Sequence, residues 1–197
     1  MAGQSQIAET HDFILMDSIE LVPHPSSAPK AVRSIRASLD TSDRHWLKLR
    51  WRIEGAGRIV LSPFTGNVRR DELWRTTCLE LFVRRAGDNA YSEFNFSPSQ
   101  AWAAYDFDEA REGMRERAME RPPVIQWRGG QSALAIFDVA VSWSCLPPLP
   151  LDYHMSAVIE EGGGATTYWA FAHSNPGRPD FHDPACFTGR LEAPGAP

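Results

Sequence analysis

The sequence predicts an all-β protein, a two-sheet antiparallel β-sandwich, from three patterns. Residues 46–53 place apolar side chains on one face and basic ones on the other, which is the period of a half-buried strand. Other apolar segments are short and separated by turn signals at intervals of about 8–12 residues, as in sandwiches and barrels. Residues 108–120 are rich in helix-forming side chains, so we expect one short helical excursion there.

The expected strands follow one another with short connections. Three lie within residues 73–107, and the others are expected at residues 13–22, 34–39, 46–53, 58–61, 133–143, 153–160 and 166–173. A glycine-rich segment, 161–165, would join the last two as a hairpin. Because no linker-like segment interrupts the pattern, residues 1–197 are expected to form one domain, with 1–10 and 192–197 as frayed tails.

Composition excludes several classes of protein. The 197 residues are 43% hydrophobic and 23% charged, with a net charge of -5, so the basic field of a nucleic-acid-binding protein is missing.

No apolar run approaches the about 18 residues needed to cross a membrane. The first residues do not resemble a signal peptide, and we expect a cytoplasmic protein. The cysteines, at positions 78, 145 and 186, are too widely spaced for a zinc knuckle or a disulfide framework.

The turn at residues 86–89 predicts the register of a central hairpin. If Arg85 pairs with Ala90, then Glu80 lies opposite Asn95 and Phe82 lies opposite Glu93. Side chains two positions apart share a face of a sheet, so these polar groups lie together on one face. The other face carries apolar side chains and is expected to be the core of the sandwich.

A carboxylate, an amide and nearby indoles suit a polyhydroxylated ligand, because aromatic rings stack on sugar C–H groups while acids and amides bond hydroxyls. Whether Trp102 or Tyr105 joins the polar face depends on a loop whose length leaves both alternatives open. The other interpretation is structural: Glu80 and Asn95 would bond each other across the strands, with Trp74 and Trp102 capping the ends of the sheet.

Three segments together carry a resemblance to a known superfamily. They are WRTTCLELFV, YSEFNFSPSQAW and YWAFAHSNPGRPDFHDPACF, and they resemble the DOMON-like superfamily, in particular the branch similar to family 9 carbohydrate-binding modules. This resemblance implies a two-sheet sandwich that binds sugars or haem on one sheet face. It also implies that Trp74 stacks on the ligand, that Glu80 accepts hydroxyl groups, and that Trp169 is the second stacking aromatic.

The histidines and methionines do not support a haem site. His154 and Met155 are adjacent in a strand, so they point to opposite faces and cannot ligate one iron, and no local motif surrounds Met16 or His173. In PDFHDP, Asp180, His182 and Asp183 are a weak signal for a cation, and the prolines favour a rigid loop at the rim of the ligand site. We therefore expect no haem, zinc or flavin.

These observations predict a non-catalytic domain that binds a small polar ligand, with a saccharide as the expected class. The predicted ligand-binding residues are Trp74, Glu80, Asn95, Trp102, Trp169, Asp180 and His182. Two alternatives stay open. One is a small hydrolase-like enzyme built on Glu80, Glu93 and His182, and the other is a protein-interaction module.

Overall fold

The structure is a computed structural model that describes residues 18–129 and 133–192. These residues form thirteen strands and four short 3-10 turns. The strands are β1 (Ile19–Glu20), β2 (Val22–Pro23), β3 (Ser34–Asp40), β4 (Trp46–Glu54), β5 (Cys78–Arg85), β6 (Tyr91–Phe96), β7 (Trp102–Phe107), β8 (Arg115–Glu116), β9 (Val124–Arg128), β10 (Leu134–Ser142), β11 (Leu151–Glu161), β12 (Ala165–Ala170) and β13 (Gly189–Leu191). The 3-10 turns are Ala56–Arg58, Leu73–Arg75, Trp143–Cys145 and Pro184–Cys186.

The strands form two antiparallel sheets. The five-stranded sheet has the order β1-β3-β4-β10-β9. The larger sheet has the order β2-β12-β11-β5-β6-β7-β8, and β13 pairs with the first residues of β11. The two-sheet antiparallel sandwich that the sequence predicts is thus confirmed. None of the helical turns in the described residues is long and apolar enough to cross a membrane.

The core lies between the two sheets and follows the alternation of the strands. In β4 the four apolar side chains that alternate with basic ones are all buried, and Trp51 packs against Phe137 of β10 with ring centroids 5.9 Å apart. The larger sheet contributes apolar side chains from β5, β6 and β11 to the same cluster. Each such burial stabilises the fold by about 1.5–3 kcal/mol.

The central hairpin has the predicted register. Glu80 pairs with Asn95 and Phe82 pairs with Glu93. The turn is closed by a 3.1 Å hydrogen bond from the Asp88 N–H to the Arg85 carbonyl. Gly87 has a φ of 84°, a conformation that strongly favours glycine, so the local sequence explains the turn.

The helical excursion predicted at residues 108–120 is wrong. This segment contains a turn and the two-residue strand β8. Arg111 and Gly113 have φ values of 64° and 66°, which an α-helix does not accommodate. The segment also lacks a continuous apolar stripe, and a short helix needs one to be stabilised by packing.

Two further differences concern the ends of the sheets. Residues 58–61 do not form the predicted strand; Arg58 ends a 3-10 turn, and of the four residues only Ile59 makes a bridge, to Glu161. Strands β9 and β13 were not predicted. The predicted strand at 13–22 lies outside the described residues up to residue 17, and from residue 18 onward the chain forms β1 and β2. Of the two expected tails, only residue 192 is described.

Replacement of Glu161 tests a buried polar anchor between an N-terminal loop and β11. Its side chain is 1% exposed and accepts hydrogen bonds from the backbone N–H groups of Lys30 and Ala31. We expect Glu161→Ala to lower the free energy of unfolding by about 1.5–3 kcal/mol, because hydrogen bonds to a charged group contribute about that much. Urea denaturation would measure the loss. Glu161→Gln keeps one acceptor oxygen but turns an NH2 donor toward the other backbone N–H, so it should lose stability as well. Unchanged stability in Glu161→Ala would contradict this account.

Candidate functional site

A cleft of about 1300 Å³ lies on the face of the larger sheet that points away from the core. Aromatic side chains, carboxylates and a few basic groups surround it. The lining residues are Asp71, Glu72, Trp74, Glu80, Phe82, Glu93, Tyr105, Phe107, Arg111, Met114, Arg115, Glu116, Val158, Tyr168, Arg178, Pro179, Phe181 and His182.

Strand register positions the floor of the cleft. Phe82 of β5 pairs with Glu93 of β6, which pairs with Tyr105 of β7, so these three side chains form one row across the sheet. A second row joins Val158 of β11 to Tyr168 of β12. Paired residues point to the same face, so side chains from five strands, β5, β6, β7, β11 and β12, lie on one surface of the sheet.

Glu80 and Glu93 form a buried carboxyl pair on this floor. They are 2% and 5% exposed. The Ser156 hydroxyl donates to Glu80 Oε2 at 2.7 Å, and the Asn95 amide donates to Glu93 Oε1 at 2.6 Å. Burial raises the pKa of both carboxyls, and the negative charge of Glu93 raises that of Glu80 further. The pair therefore retains protons at a pH where ordinary carboxyls have lost them.

The loop between β12 and β13 forms one wall of the cleft. His182 shares a 2.6 Å hydrogen bond through Nδ1 with the hydroxyl of Tyr91, and its Nε2 lies 4.0 Å from Glu93 Oε2. Burial, together with the nearby positive charge of Arg111, lowers the pKa of His182 to about 4. The imidazole is thus neutral near pH 7. A 2.8 Å hydrogen bond between His154 Nε2 and the Phe181 carbonyl holds the loop against the sheet.

Trp74 lies at the mouth of the cleft. It belongs to the 3-10 turn just before β5 and is 50% exposed, although it is a large apolar side chain. The Arg75 guanidinium lies 5.3 Å from its ring centroid. On the same side, the Tyr105 hydroxyl donates to Asp71 Oδ1 at 2.6 Å. An exposed indole beside a cleft is free to stack on a ligand.

Five of the predicted ligand-binding residues lie in or beside this cleft. Trp74, Glu80 and His182 line it. Asn95 is fully buried next to it and bonds Glu93. Asp180 does not line the cleft but accepts a 2.8 Å hydrogen bond from Arg111, which does. The predicted Glu80–Asn95 bond is not seen, because each group bonds a different partner.

The placement expected for Trp102 and Trp169 is wrong. Trp102 pairs with Phe96 and Trp169 with Ala157, so both point to the core side. Their indole N–H groups are already used: Trp102 donates to Asn67 Oδ1 and Trp169 to Thr167 Oγ1, both at 2.9 Å. Side chains alternate along a strand, so Trp102 and Tyr105 lie on opposite faces, as do Trp169 and Tyr168.

Sequence reasoning missed several lining residues. Tyr168 precedes Trp169 in the chain, and Phe181 lies between Asp180 and His182. The alternation of side chains along β12 was the sequence pattern that could have identified Tyr168. Arg111 belongs to the segment expected to form a short helical excursion, and no local pattern marks it as a site residue. It reaches the cleft because its left-handed turn folds back over β6, where its N–H donates to Tyr91 Oη at 3.2 Å.

The described residues contain no group of three His, Cys, Asp or Glu side chains arranged to hold a metal ion. Asp180 is bonded to Arg111 and to the N–H of His182, and Asp183 caps the 3-10 turn at Pro184–Cys186 by accepting from the Ala185 N–H. His154 lies on the cleft side and stacks on Phe82, whereas Met155 lies in the core. The expected lack of haem, zinc and flavin stays a prediction.

Comparisons with known proteins bear on the fold. A scan against protein-family models gives no match, and neither does a search of the curated proteins. The structure is similar to that of a provisionally assigned carbohydrate-binding protein from Bacteroides uniformis ATCC 8492, with a TM-score of 0.55 and 16% identity over 86% of this chain and 84% of that one. It is also similar to a family 9 carbohydrate-binding module from Caldicellulosiruptor kristjanssonii, solved with cellotriose, with a TM-score of 0.50 and 8% identity over 80% of this chain and 74% of that one. At such identities the likeness establishes the sandwich fold.

The carboxyl pair should make stability depend on pH. The folded protein binds the protons of Glu80 and Glu93 more tightly than the unfolded chain, so their contribution to stability falls as the pH rises from 4.5 toward about 8. His154 and His182 have lowered pKa values, so their contribution to stability rises with pH, but only up to the ordinary histidine pKa of 6.5. We therefore expect the free energy of unfolding to fall between about pH 6.5 and pH 8.

Urea denaturation at a series of pH values would measure this dependence. Glu80→Gln should flatten the fall, because it removes one titrating group and the repulsion on the other. Glu20→Gln is a matched control, since Glu20 is exposed on the five-stranded sheet. An unchanged slope in Glu80→Gln would show that the pair does not titrate as described.

Proposed function

We propose that the cleft binds a small saccharide without transforming it. The observation that carries this proposal is the buried carboxyl pair on an aromatic-walled floor, with an exposed tryptophan at the mouth. Sugars have apolar C–H faces and polar hydroxyl edges, and this site offers both kinds of partner. The fold shared with two proteins described by carbohydrate binding supports the proposal.

The contacts of such a complex follow from the geometry. Trp74 would stack on a ring at the mouth, where half of its side chain is accessible. Glu80 and Glu93 would bond hydroxyl groups at the floor. His182, being neutral and already bonded to Tyr91, would close one wall without adding charge. The volume, about 1300 Å³, exceeds that of a typical small-molecule pocket, so a short oligosaccharide would fit.

Truncation of Trp74 tests the stacking contact. We expect Trp74→Ala to weaken saccharide binding about two- to twelvefold, because an aromatic contact contributes about 0.5–1.5 kcal/mol beyond buried area. Its melting temperature should stay near that of the wild type, since the side chain is half exposed. Calorimetric titration with cello-oligosaccharides would measure the change.

Phe64→Ala is the matched control, because Phe64 is 74% exposed and does not line the cleft. It should bind like the wild type. Equal weakening in both variants, or none in Trp74→Ala, would mean that the ligand does not stack on Trp74.

Hydrolysis is a second candidate, favoured by the juxtaposition of Glu80, Glu93 and His182 in one cleft. Two carboxyls whose pKa values lie near neutrality can act as a general acid and a general base. Release of nitrophenol from nitrophenyl glycosides, abolished by Glu80→Gln and retained by Glu20→Gln, would support this candidate over simple binding. Stable recovery of an intact ligand after prolonged incubation would support binding.

A further inference from the structure

Among the described residues, no basic side chain forms a hydrogen bond with the carboxyl pair on the cleft floor. Glu80 Oε2 accepts from the neutral Ser156 hydroxyl, and Glu93 Oε1 accepts from the neutral Asn95 amide. Glu80 Oε1 accepts a hydrogen bond from no described residue, although the side chain lines the cleft and is 2% exposed. His182 Nε2 lies 4.0 Å from Glu93 Oε2, beyond hydrogen-bonding distance.

The basic side chains around the cleft have other partners or lie in solvent. Arg111 forms an ion pair with Asp180 at 2.8 Å, and Arg115 forms one with Asp108 at 2.6 Å. Arg178 belongs to an exposed stretch of the loop, where water screens its charge. Among the described residues, these basic side chains thus leave the two floor carboxyls without a cation in hydrogen-bonding contact.

Aromatic rings complete the environment of the pair. Phe82 lies directly opposite Glu93 and two residues beyond Glu80 along β5, and Tyr105, Phe107, Tyr168 and Phe181 also line the cleft. The faces of aromatic rings attract cations, most strongly where water is excluded. Carboxylates surrounded by such rings are the partners that suit an ammonium group, which has three N–H donors and one positive charge.

We infer that the cleft selects a ligand that carries a protonated primary amine, and that within the proposed saccharide class this ligand is an amino sugar. That the ligand is a sugar rests on the proposed function, whereas the selection of an amine does not. A neutral sugar would meet the hydrogen-bonding needs of the floor while both carboxyls stay protonated. An ammonium group would meet the same needs and would also compensate the negative charge of a carboxyl that loses its proton.

Amine binding must also release protons. The free carboxyls hold protons near neutral pH because burial raises the pKa of each, and an ammonium group favours their ionised forms. The other titratable or charged groups that face the pair are Cys78, Tyr91, Tyr105, His182 and Arg111. The pKa values of the thiol and both phenols are raised and that of His182 is lowered, so these four groups are neutral near pH 7, while the positive charge of Arg111 lowers the pKa of Glu93.

Three trimers with the same β-1,4-linked backbone provide the test: the trimer of glucosamine, its fully N-acetylated form, and cellotriose. Calorimetric titration at about pH 6, where the amines are protonated, would be run in two buffers that differ in ionisation enthalpy. We expect the glucosamine trimer to bind at least about tenfold more tightly than cellotriose, a difference of about 1.4 kcal/mol. We also expect protons to be released with the glucosamine trimer alone.

Variants locate the effect on the floor. Glu80→Gln and Glu93→Gln should each reduce the preference for the glucosamine trimer over cellotriose, whereas Glu20→Gln should keep it. Melting temperatures would show whether each variant folds. Proton release by the wild-type protein tests the same inference if a variant does not fold.

The outcomes separate this inference from the proposed function. Equal binding of cellotriose and the glucosamine trimer, without proton release, would overturn amine selection and leave saccharide binding in place. Spermidine, included as a polyamine without a sugar, would support amine selection and overturn saccharide binding if it bound with proton release while all three trimers failed. Binding of none of these probes would overturn both.

Discussion

Side-chain alternation across β5, β6 and β7 is the constraint on which the rest of the structure depends. Leu79 and Leu81 point to the core, while Glu80 and Phe82 point to the cleft, and the turn at residues 86–89 aligns Glu93 with the same face. A shift of one residue would place carboxyl groups in the apolar core, which costs several kcal/mol for an unpaired polar group. Core formation and site assembly therefore depend on a single register.

The same arrangement explains why the site is electrostatically unusual. Glu80 and Glu93 are held by neutral donors, Ser156 and Asn95, in a location from which water is largely excluded. Such an arrangement contributes little to folding, because desolvation of two acids opposes the hydrogen bonds that they accept. Strongly shifted pKa values inside a cleft are characteristic of functional sites. The wall that carries His182 adds to the exclusion of water without supplying a counter-charge.

The predictable part of the site is the part formed by short-range pairing. Turn chemistry at residues 86–89 was sufficient to align Glu80 with Asn95 and Phe82 with Glu93. The face occupied by Trp102 was not predictable, because Gln100, with a φ of 72°, sets the course of the loop before β7. For Trp169, the face depends on how β12 pairs with β11, and a glycine-rich hairpin does not specify that register locally.

By itself the sequence determined the two-sheet class, the alternation of β4 and the central hairpin, since each depends on residues that are close along the chain. Only the tertiary structure decided that Arg111 reaches back over β6 and that the loop carrying Phe181 and His182 covers the polar face. Those contacts join segments far apart in sequence, and their geometry depends on left-handed turns and on hydrogen bonds to distant strands. The conformational preferences of neighbouring residues do not specify such long-range partners, because the same loop residues could form their contacts on any of several surfaces.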